Sequence, residues 1–154
     1  MYIQYIESPL GPIEIDANEV GITAIAFVAT AEQRSNSSAL TQQAADQLLA
    51  YFSGQLTRFS LPLAATGTAF QQQVWQALCD INFGNTCSYA AVAEKLHNPK
   101  AVRAVGAANG KNPIAIVVPC HRVIGANGTL TGYAGGLDKK AWLLKHEQRQ
   151  QALL

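Results

Sequence analysis

Hydrophobic and polar positions change their rhythm part-way along this chain. Over the first 28 residues they come in short runs: residues 2–7, then Ile13-Glu14-Ile15-Asp16, then residues 22–28. Alternation with a period of two is the pattern of a half-buried strand. Ser8-Pro9-Leu10-Gly11-Pro12 and residues 18–21 supply turns between the runs. The three runs therefore predict an antiparallel meander. After a polar loop at residues 30–38 the spacing lengthens to four. Leu40, Ala44, Leu48 and Phe52 mark the buried stripe of a helix that Gly54 stops. Residues 58–66, which contain Pro62, read as a connector, and the pattern places a domain boundary between residues 65 and 66.

The second stretch is mostly helical in pattern. Thr68 with Gln71 three residues on is a capping box, and Phe70, Val74 and Leu78, with Trp75, give the helix behind it an apolar face. Ser88 caps a shorter helix over residues 89–96. Asn98 is expected to cap the next, with Pro99 in its first turn and Gly110 just past its end. This pair reads as a helix-turn-helix. Asn112-Pro113 opens an apolar run, residues 114–118, read as a buried extended segment. Residues 125–136 form a glycine-rich loop, and Asp138 is expected to cap a last helix carrying Trp142, Leu143 and Leu144. The fold class is α/β: a small antiparallel three-stranded sheet with a helix over residues 1–65, then a mostly helical domain over residues 66–154.

Composition narrows the setting. With 154 residues, 49% hydrophobic and 14% charged, the chain can build a core and is not a disordered segment. Three widely spaced cysteines, Cys79, Cys87 and Cys120, form neither a disulfide framework nor a paired zinc pattern, and no Cys or His precedes Cys79. A reducing, cytoplasmic setting is expected. The N-terminus lacks a basic region followed by an apolar core, so no signal peptide is expected, and no apolar run nears the ~20 residues of a membrane span. The net charge of +1 hides an asymmetry. Residues 1–65 hold two basic and six acidic side chains, a net of −4; residues 66–154 hold nine basic and four acidic, a net of +5. Such asymmetry points to a polyanion at the C-terminal stretch.

The candidate chemistry sits in Pro119-Cys120-His121-Arg122-Val123. A thiol is a strong nucleophile only as thiolate, so an adjacent imidazole or guanidinium matters. An isolated Cys-His pair is most often an inert buried thiol with a chance neighbour. Here the company it keeps changes the reading. Arg103-Ala104-Val105-Gly106, Asn112-Pro113 and Gly132-Tyr133-Ala134-Gly135-Gly136-Leu137 flank it, preceded by Val74-Trp75, Gly84-Asn85-Thr86 and Ser88-Tyr89. In this order, over about residues 68–147, these motifs resemble the O6-alkylguanine-DNA alkyltransferase family. Residues 1–65 fit more loosely, through their strand-then-helix order, and the resemblance implies a ribonuclease H-like arrangement there.

Members of that family repair alkylated guanine in double-stranded DNA by taking the alkyl group onto the cysteine. The resemblance therefore implies irreversible, single-turnover transfer to Cys120, with no cofactor and with the chain acting as a monomer. Methyl alone, larger alkyl groups and O4-alkylthymine all remain open as substrates. His121 is expected to take the thiol proton through a water, since adjacent side chains on extended backbone point apart. Glu147 is expected to hold His121 in a useful tautomer, although a carboxylate on a helix is ordinarily solvated. Asn112 would fix the approach of the cysteine segment, which is also what an ordinary Asx-turn does. By resemblance Tyr89 donates to guanine N3, though a half-buried helix tyrosine is an equal reading of the residue by itself. Val123, Tyr133 and Ala134 would line the base pocket; members with Ser at the last position have a hydroxyl that Ala134 lacks.

Access follows from the second helix of the pair. Arg103 and Ala107 fall on one face and Val102 with Val105 on another, and small residues such as Ala104 allow close approach to a groove. Most helix-turn-helix proteins use the major groove, whereas this family binds the minor groove and rotates the base out of the stack. Arg103 would fill the space left behind, or else contact phosphate; Lys100 and Lys111 are candidate phosphate contacts or simply solvated lysines. Cys79 and Cys87 read as half-buried thiols, His97 as a surface residue and His146 as structural. Two other classes compete: a non-catalytic sensor of alkylated bases, which would need no nucleophile, and a thiol hydrolase using Cys120 and His121.

Overall fold

A computed structural model describes residues 1–31 and 35–153. Residues 32–34 of the polar loop expected at 30–38, with the Arg34 counted above, lie outside the described residues. The described residues separate into two compact units, Met1–Thr66 with Pro113–Ala115, and Gly67–Asn112 with Ile116–Leu154.

In the first unit β1 (Tyr2–Ser8), β2 (Gly11–Ala17) and β3 (Ile22–Phe27) form the antiparallel meander in the order β1-β2-β3. Gly11, at φ 97°, occupies the left-handed region that the tight turn between β1 and β2 requires. One face of β2, Ile13, Ile15 and Ala17, is fully buried, together with Ile22 and Ile25 of β3. Helix α1 (Ala39–Phe52) covers that face, entered through a capping box between Ser38 and Thr41. Its buried stripe is Thr41, Ala44, Ala45, Leu48 and Tyr51. The sequence pattern puts Leu40 and Phe52 at the two ends of the stripe. The helix is instead rotated so that Tyr51 goes fully inside, where it meets Phe52 at 5.3 Å and Phe59 at 5.6 Å between ring centroids. The free edge of β3 is also used: Ile22 N–H donates to Pro62 O (2.8 Å) and Ile25 N–H to Pro113 O (2.9 Å). Those bonds occupy edge groups that would otherwise template pairing with another chain.

The second unit begins with α2 (Ala69–Leu78), capped by Thr68 and Gln71 as its sequence predicts. Val74, Trp75, Ala77 and Leu78 are buried, and Trp75 Nε1–H donates to the carbonyl of Ala108 (2.9 Å). A two-residue strand β4 (Cys87–Ser88) leads into α3 (Tyr89–Lys95), whose first turn is closed by the Ser88 hydroxyl accepting from Ala91 N–H (3.0 Å). Helix α4 spans Val102–Gly110, not residues 99–109. Its N-cap is Ala101, which offers no side-chain cap; Asn98 contributes its carbonyl to Ala101 N–H in the preceding turn. Pro99 and Lys100 thus belong to the connection and Gly110 to the helix. The buried face of α4 is Val105, Ala108 and Asn109, while Val102, paired with Val105 in the sequence reading, is 37% exposed.

Of the apolar run at residues 114–118, read as extended, only Ile114 is so, in a parallel bridge with Ile25 of β3; residues 115–118 turn. Ile116 takes φ 71°, a left-handed value that a β-branched residue rarely adopts. Only 1% of its surface is exposed, so its burial offsets that strain. A single 3-10 turn (Cys120–Arg122) follows, and then β5 (Val123–Ile124), which pairs in parallel with β4. The last helix, α5, runs over Leu137–Leu153. Asp138 lies inside its first turn, where its charge suits the helix dipole, instead of capping it. Among the described residues no helix is long and apolar enough to cross a membrane.

Candidate active site

Cys120 is 7% exposed and opens the 3-10 turn, so Cys120 and His121 sit on tightly wound backbone and not on the extended chain expected of them. The bend follows from local hydrogen bonds. Val118 O accepts from Cys120 N–H (2.8 Å) and from Asn112 Nδ2 (2.8 Å), and Pro119 O accepts from Arg122 N–H (3.0 Å). Asn112 therefore pins the turn before the cysteine with its side chain. Burial pushes the Cys120 thiol up; a hydrogen bond from Asn112 and the ammonium charge of Lys140 oppose that without overcoming it. At rest the site holds a thiol, and a base must take its proton.

His121 is fully buried, and its Nε2 lies 2.6 Å from Glu147 Oε2. Burial lowers the imidazole pKa and the Arg122 and Lys140 charges act the same way, against the Glu147 carboxylate. A neutral ring with Nε2–H donating to the carboxylate leaves Nδ1 as the basic lone pair. Nδ1 is buried and accepts no hydrogen bond from the described residues.

Glu147 is fully buried, not solvated. Burial alone would raise its pKa, but hydrogen bonds and charge from His121 and Arg122 outweigh it and hold the carboxyl at about 2. Arg122 grips it with two parallel bonds, Nε to Oε1 at 2.7 Å and Nη2 to Oε2 at 3.1 Å. The remaining reach of the guanidinium goes to Ile81 O (2.7 Å), and its carbon lies 5.8 Å from the centroid of the Phe83 ring.

Val123 is fully buried directly after the 3-10 turn. Tyr133 is half-buried, and burial, reinforced by the Cys120 and Glu147 charges, raises its pKa strongly. Ala134 is exposed. Tyr89, half-buried at the start of α3, has its hydroxyl 2.5 Å from Thr131 Oγ1. A Cβ placed on Gly106 would come to 3.8 Å from the Tyr89 ring, an ordinary contact, so α4 passes that ring with room for a small side chain. Arg103, Ala104 and Ala107 share the exposed face of α4, with exposed Lys100 before the helix and Lys111 at its C-cap.

Sequence reasoning passes over three residues. Lys140 is fully buried and donates to Val123 O (2.7 Å) and Thr131 O (2.9 Å). Its signal is helical spacing: Lys140, Leu143 and Glu147 lie three and four apart and share the inner face of α5. Arg122 stands in the cysteine motif, but the sequence assigns it no partner. Asn109, on the buried face of α4, places Nδ2 3.5 Å from Cys120 O, a contact that no spacing pattern discloses. Of the residues given minor roles, Cys79 is exposed and not half-buried, and His97 is exposed. His146 is buried and stacks on Trp142 at 4.9 Å. Among the described residues no group of three His, Cys, Asp or Glu side chains is placed to hold a metal ion.

Comparison with known proteins agrees with this architecture at both ends of the chain. Residues 1–65 match the family model described as 6-O-methylguanine DNA methyltransferase, ribonuclease-like domain, and residues 69–149 that described as 6-O-methylguanine DNA methyltransferase, DNA binding domain. The chain is 49% identical to a methylated-DNA–protein-cysteine methyltransferase of Methanosarcina barkeri, over 96% of this chain and 98% of that protein. It is 45% identical to the protein of the same name from Mycobacterium leprae, over 97% and 94%. Its structure is similar to that of Mycobacterium tuberculosis OGT in complex with DNA, with a TM-score of 0.89 and 45% identity, covering 97% of this chain and 94% of that one. Fold, site geometry and full-length likeness thus converge: this chain belongs to the 6-O-methylguanine DNA methyltransferase family.

Proposed function

We propose that this protein repairs double-stranded DNA by moving a methyl or larger alkyl group from guanine O6 onto Sγ of its own Cys120. The observation that carries the reading is the buried series Cys120, His121 and Glu147, in which a protonated thiol precedes an imidazole held neutral and oriented by a carboxylate. His121 Nδ1 takes the thiol proton, through a water if the two side chains do not meet directly. The thiolate attacks the alkyl carbon in line with its bond to O6. That bond breaks, its electron pair stays on the guanine, and the proton from the thiol ultimately neutralises the base. The product is a thioether, which has no easy route back to the thiol, so each molecule acts once.

The other residues serve binding and departure of the base. Tyr89 donates to guanine N3 and reduces the charge that builds on the leaving base. Tyr133 and Val123 line the pocket, and Ala134 offers its backbone N–H. Residues 89–110, read as a helix-turn-helix, approach the minor groove with Ala104 and Ala107 against it. Arg103 takes the place of the rotated base, and Lys100 and Lys111 meet phosphates. In this reading residues 66–154 carry the chemistry, and the protein acts as a monomer in the cytoplasm.

The test is intact-mass and peptide-mapping spectrometry after mixing with a duplex bearing one O6-methylguanine. One methyl group gained per protein, mapped to Cys120, with plain guanine left in the DNA, is the expected result. The Cys120→Ala variant should still bind that duplex and gain nothing. Binding by the unaltered chain with no gain in mass would overturn the proposal in favour of a damage sensor.

A further inference from the structure

The Tyr89 hydroxyl already has a partner, Thr131 Oγ1 at 2.5 Å, and that partner is itself held. The Thr131 carbonyl accepts from the buried Lys140 ammonium (2.9 Å), which also donates to Val123 O (2.7 Å), three residues after the nucleophile. Thr131 is thus tied by its main chain to the strand leaving the cysteine turn and by its side chain to the phenol. The loop leading to it is ordered as well. Gly125 N–H donates to Thr129 O (2.9 Å), and Asn127 Oδ1 accepts from the Thr129 hydroxyl (2.7 Å).

We propose that Thr131 is a positioning residue for the departing base: its hydroxyl donates to Tyr89 Oη and so commits the phenol proton to guanine N3. This rests on the reading of Tyr89 given above. Each hydroxyl carries one proton and two lone pairs, whereas N3 only accepts. With the pocket empty either hydroxyl can donate to the other. With the base in place, a single order keeps both bonds, Thr131 to Tyr89 to N3. A phenol that accepts one hydrogen bond is a better donor of the next. Charge grows on the base as the alkyl–oxygen bond breaks, so the benefit falls on the transfer step and not on DNA affinity.

The experiment measures the rate constant of methyl transfer at saturating duplex for the parent, Thr131→Val, Thr131→Ser, Tyr89→Phe and the double variant Tyr89→Phe/Thr131→Val. Val keeps the shape and removes the hydroxyl; Ser keeps the hydroxyl. Thr131→Val should slow transfer about three- to tenfold, the range of one net hydrogen bond, with duplex affinity unchanged. Thr131→Ser should retain most of the rate. In the Tyr89→Phe background the Val substitution should add no further loss. An equal loss in both backgrounds, or in Val and Ser alike, would show that Thr131 only shapes its loop and overturn the proposal. A Tyr89→Phe rate equal to the parent's would overturn it together with the role of Tyr89. Failure of the parent to methylate Cys120 would remove the proposed function itself.

Discussion

Arg122 and Glu147 meet side by side in the protein interior, with Nε on one carboxylate oxygen at 2.7 Å and Nη2 on the other at 3.1 Å. His121 shares the second oxygen at 2.6 Å. A free carboxylate could swing; this one is fixed in plane and can hold the imidazole in one orientation. Glu147→Gln keeps the shape but loses the charge and offers His121 an amide instead of a carboxylate. Transfer should fall by about a hundredfold or more, on the scale of losing an oriented base, while duplex affinity stays. Single-turnover kinetics on an O6-methylguanine duplex would check this. Arg122→Ala should act on folding instead, costing about 3–5 kcal/mol because a buried carboxylate loses its main partner. Denaturant unfolding measures it.

Acid should unfold the parent through the same group. The Glu147 carboxyl is held at about 2 in the folded chain, against an ordinary value near 4.5. Its contribution is therefore present above about pH 4.5 and is lost progressively as the pH falls towards 2. The size is of order 3 kcal/mol, because each tenfold change in proton affinity is worth about 1.4 kcal/mol. Unfolding free energies measured from about pH 6 down to about pH 2.5 should decline more steeply for the parent than for Glu147→Gln.

Transfer has its own acid limb. His121 must be neutral to act as base, and burial holds its pKa below the ordinary imidazole value. The rate should stay near its neutral-pH value as the pH falls through about 6.5, the ordinary imidazole pKa, and decline only below it. A pH profile of the single-turnover rate with a midpoint above about 6.5 would contradict a buried neutral base.

Legibility follows chemistry more closely than geometry. The cysteine motif, the capping box at Thr68 and Gln71 and the three-stranded meander are all readable, because each is a local pattern with a local cause. Tyr51 escapes the pattern because residues 40, 44, 48 and 52 at strict fourfold spacing drift around a 3.6-residue helix. The start of α4 escapes it because Asn98 and Pro99 look like a helix entrance yet form a turn of their own. Residues 114–118 are apolar enough for a strand, and only the fold shows the left-handed Ile116 that breaks it. Within the site, Cys120 and His121 stand together in the sequence, whereas Glu147 is reached only through the family resemblance, since a helix carboxylate is ordinarily solvated and here lies 2.6 Å from His121. Lys140 is not legible, because a lysine is ordinarily read as surface.

Removing one interior contact should test the packing of α2 against α4. Trp75→Phe removes the indole N–H that reaches the Ala108 carbonyl at 2.9 Å and leaves that carbonyl its bond from Lys111 N–H (3.1 Å). A loss of about 0.5–1.5 kcal/mol is expected for the one hydrogen bond removed, with added cost from the lost ring volume. Chemical denaturation of the variant gives the value directly.

Arg103 and Lys111 should separate by salt and by substrate. Lys111→Ala should weaken duplex binding about equally across sequences and flatten the dependence of log affinity on log salt by about one unit. Arg103→Ala should slow transfer from duplex DNA but spare transfer from O6-methylguanine supplied as the free base, which has no stack to leave. Equal losses on duplex and free base would place Arg103 in the pocket chemistry instead.

The short parallel ladder between β4 and β5 pairs Cys87 with Val123 and Ser88 with Ile124. Tyr89 follows one strand directly, and Cys120 precedes the other by a single 3-10 turn. The spacing between the Cys120 thiol and the Tyr89 phenol is therefore set by main-chain register. Lengthening the chain by one residue between Arg122 and Val123 would slip that register and turn the side chains of the two-residue strand β5 to opposite faces. A residue added at the exposed tip near Asn127 and Gly128 would leave it untouched. Tolerance to insertion along this stretch is thus a ruler for the site, falling from free to forbidden within a handful of positions.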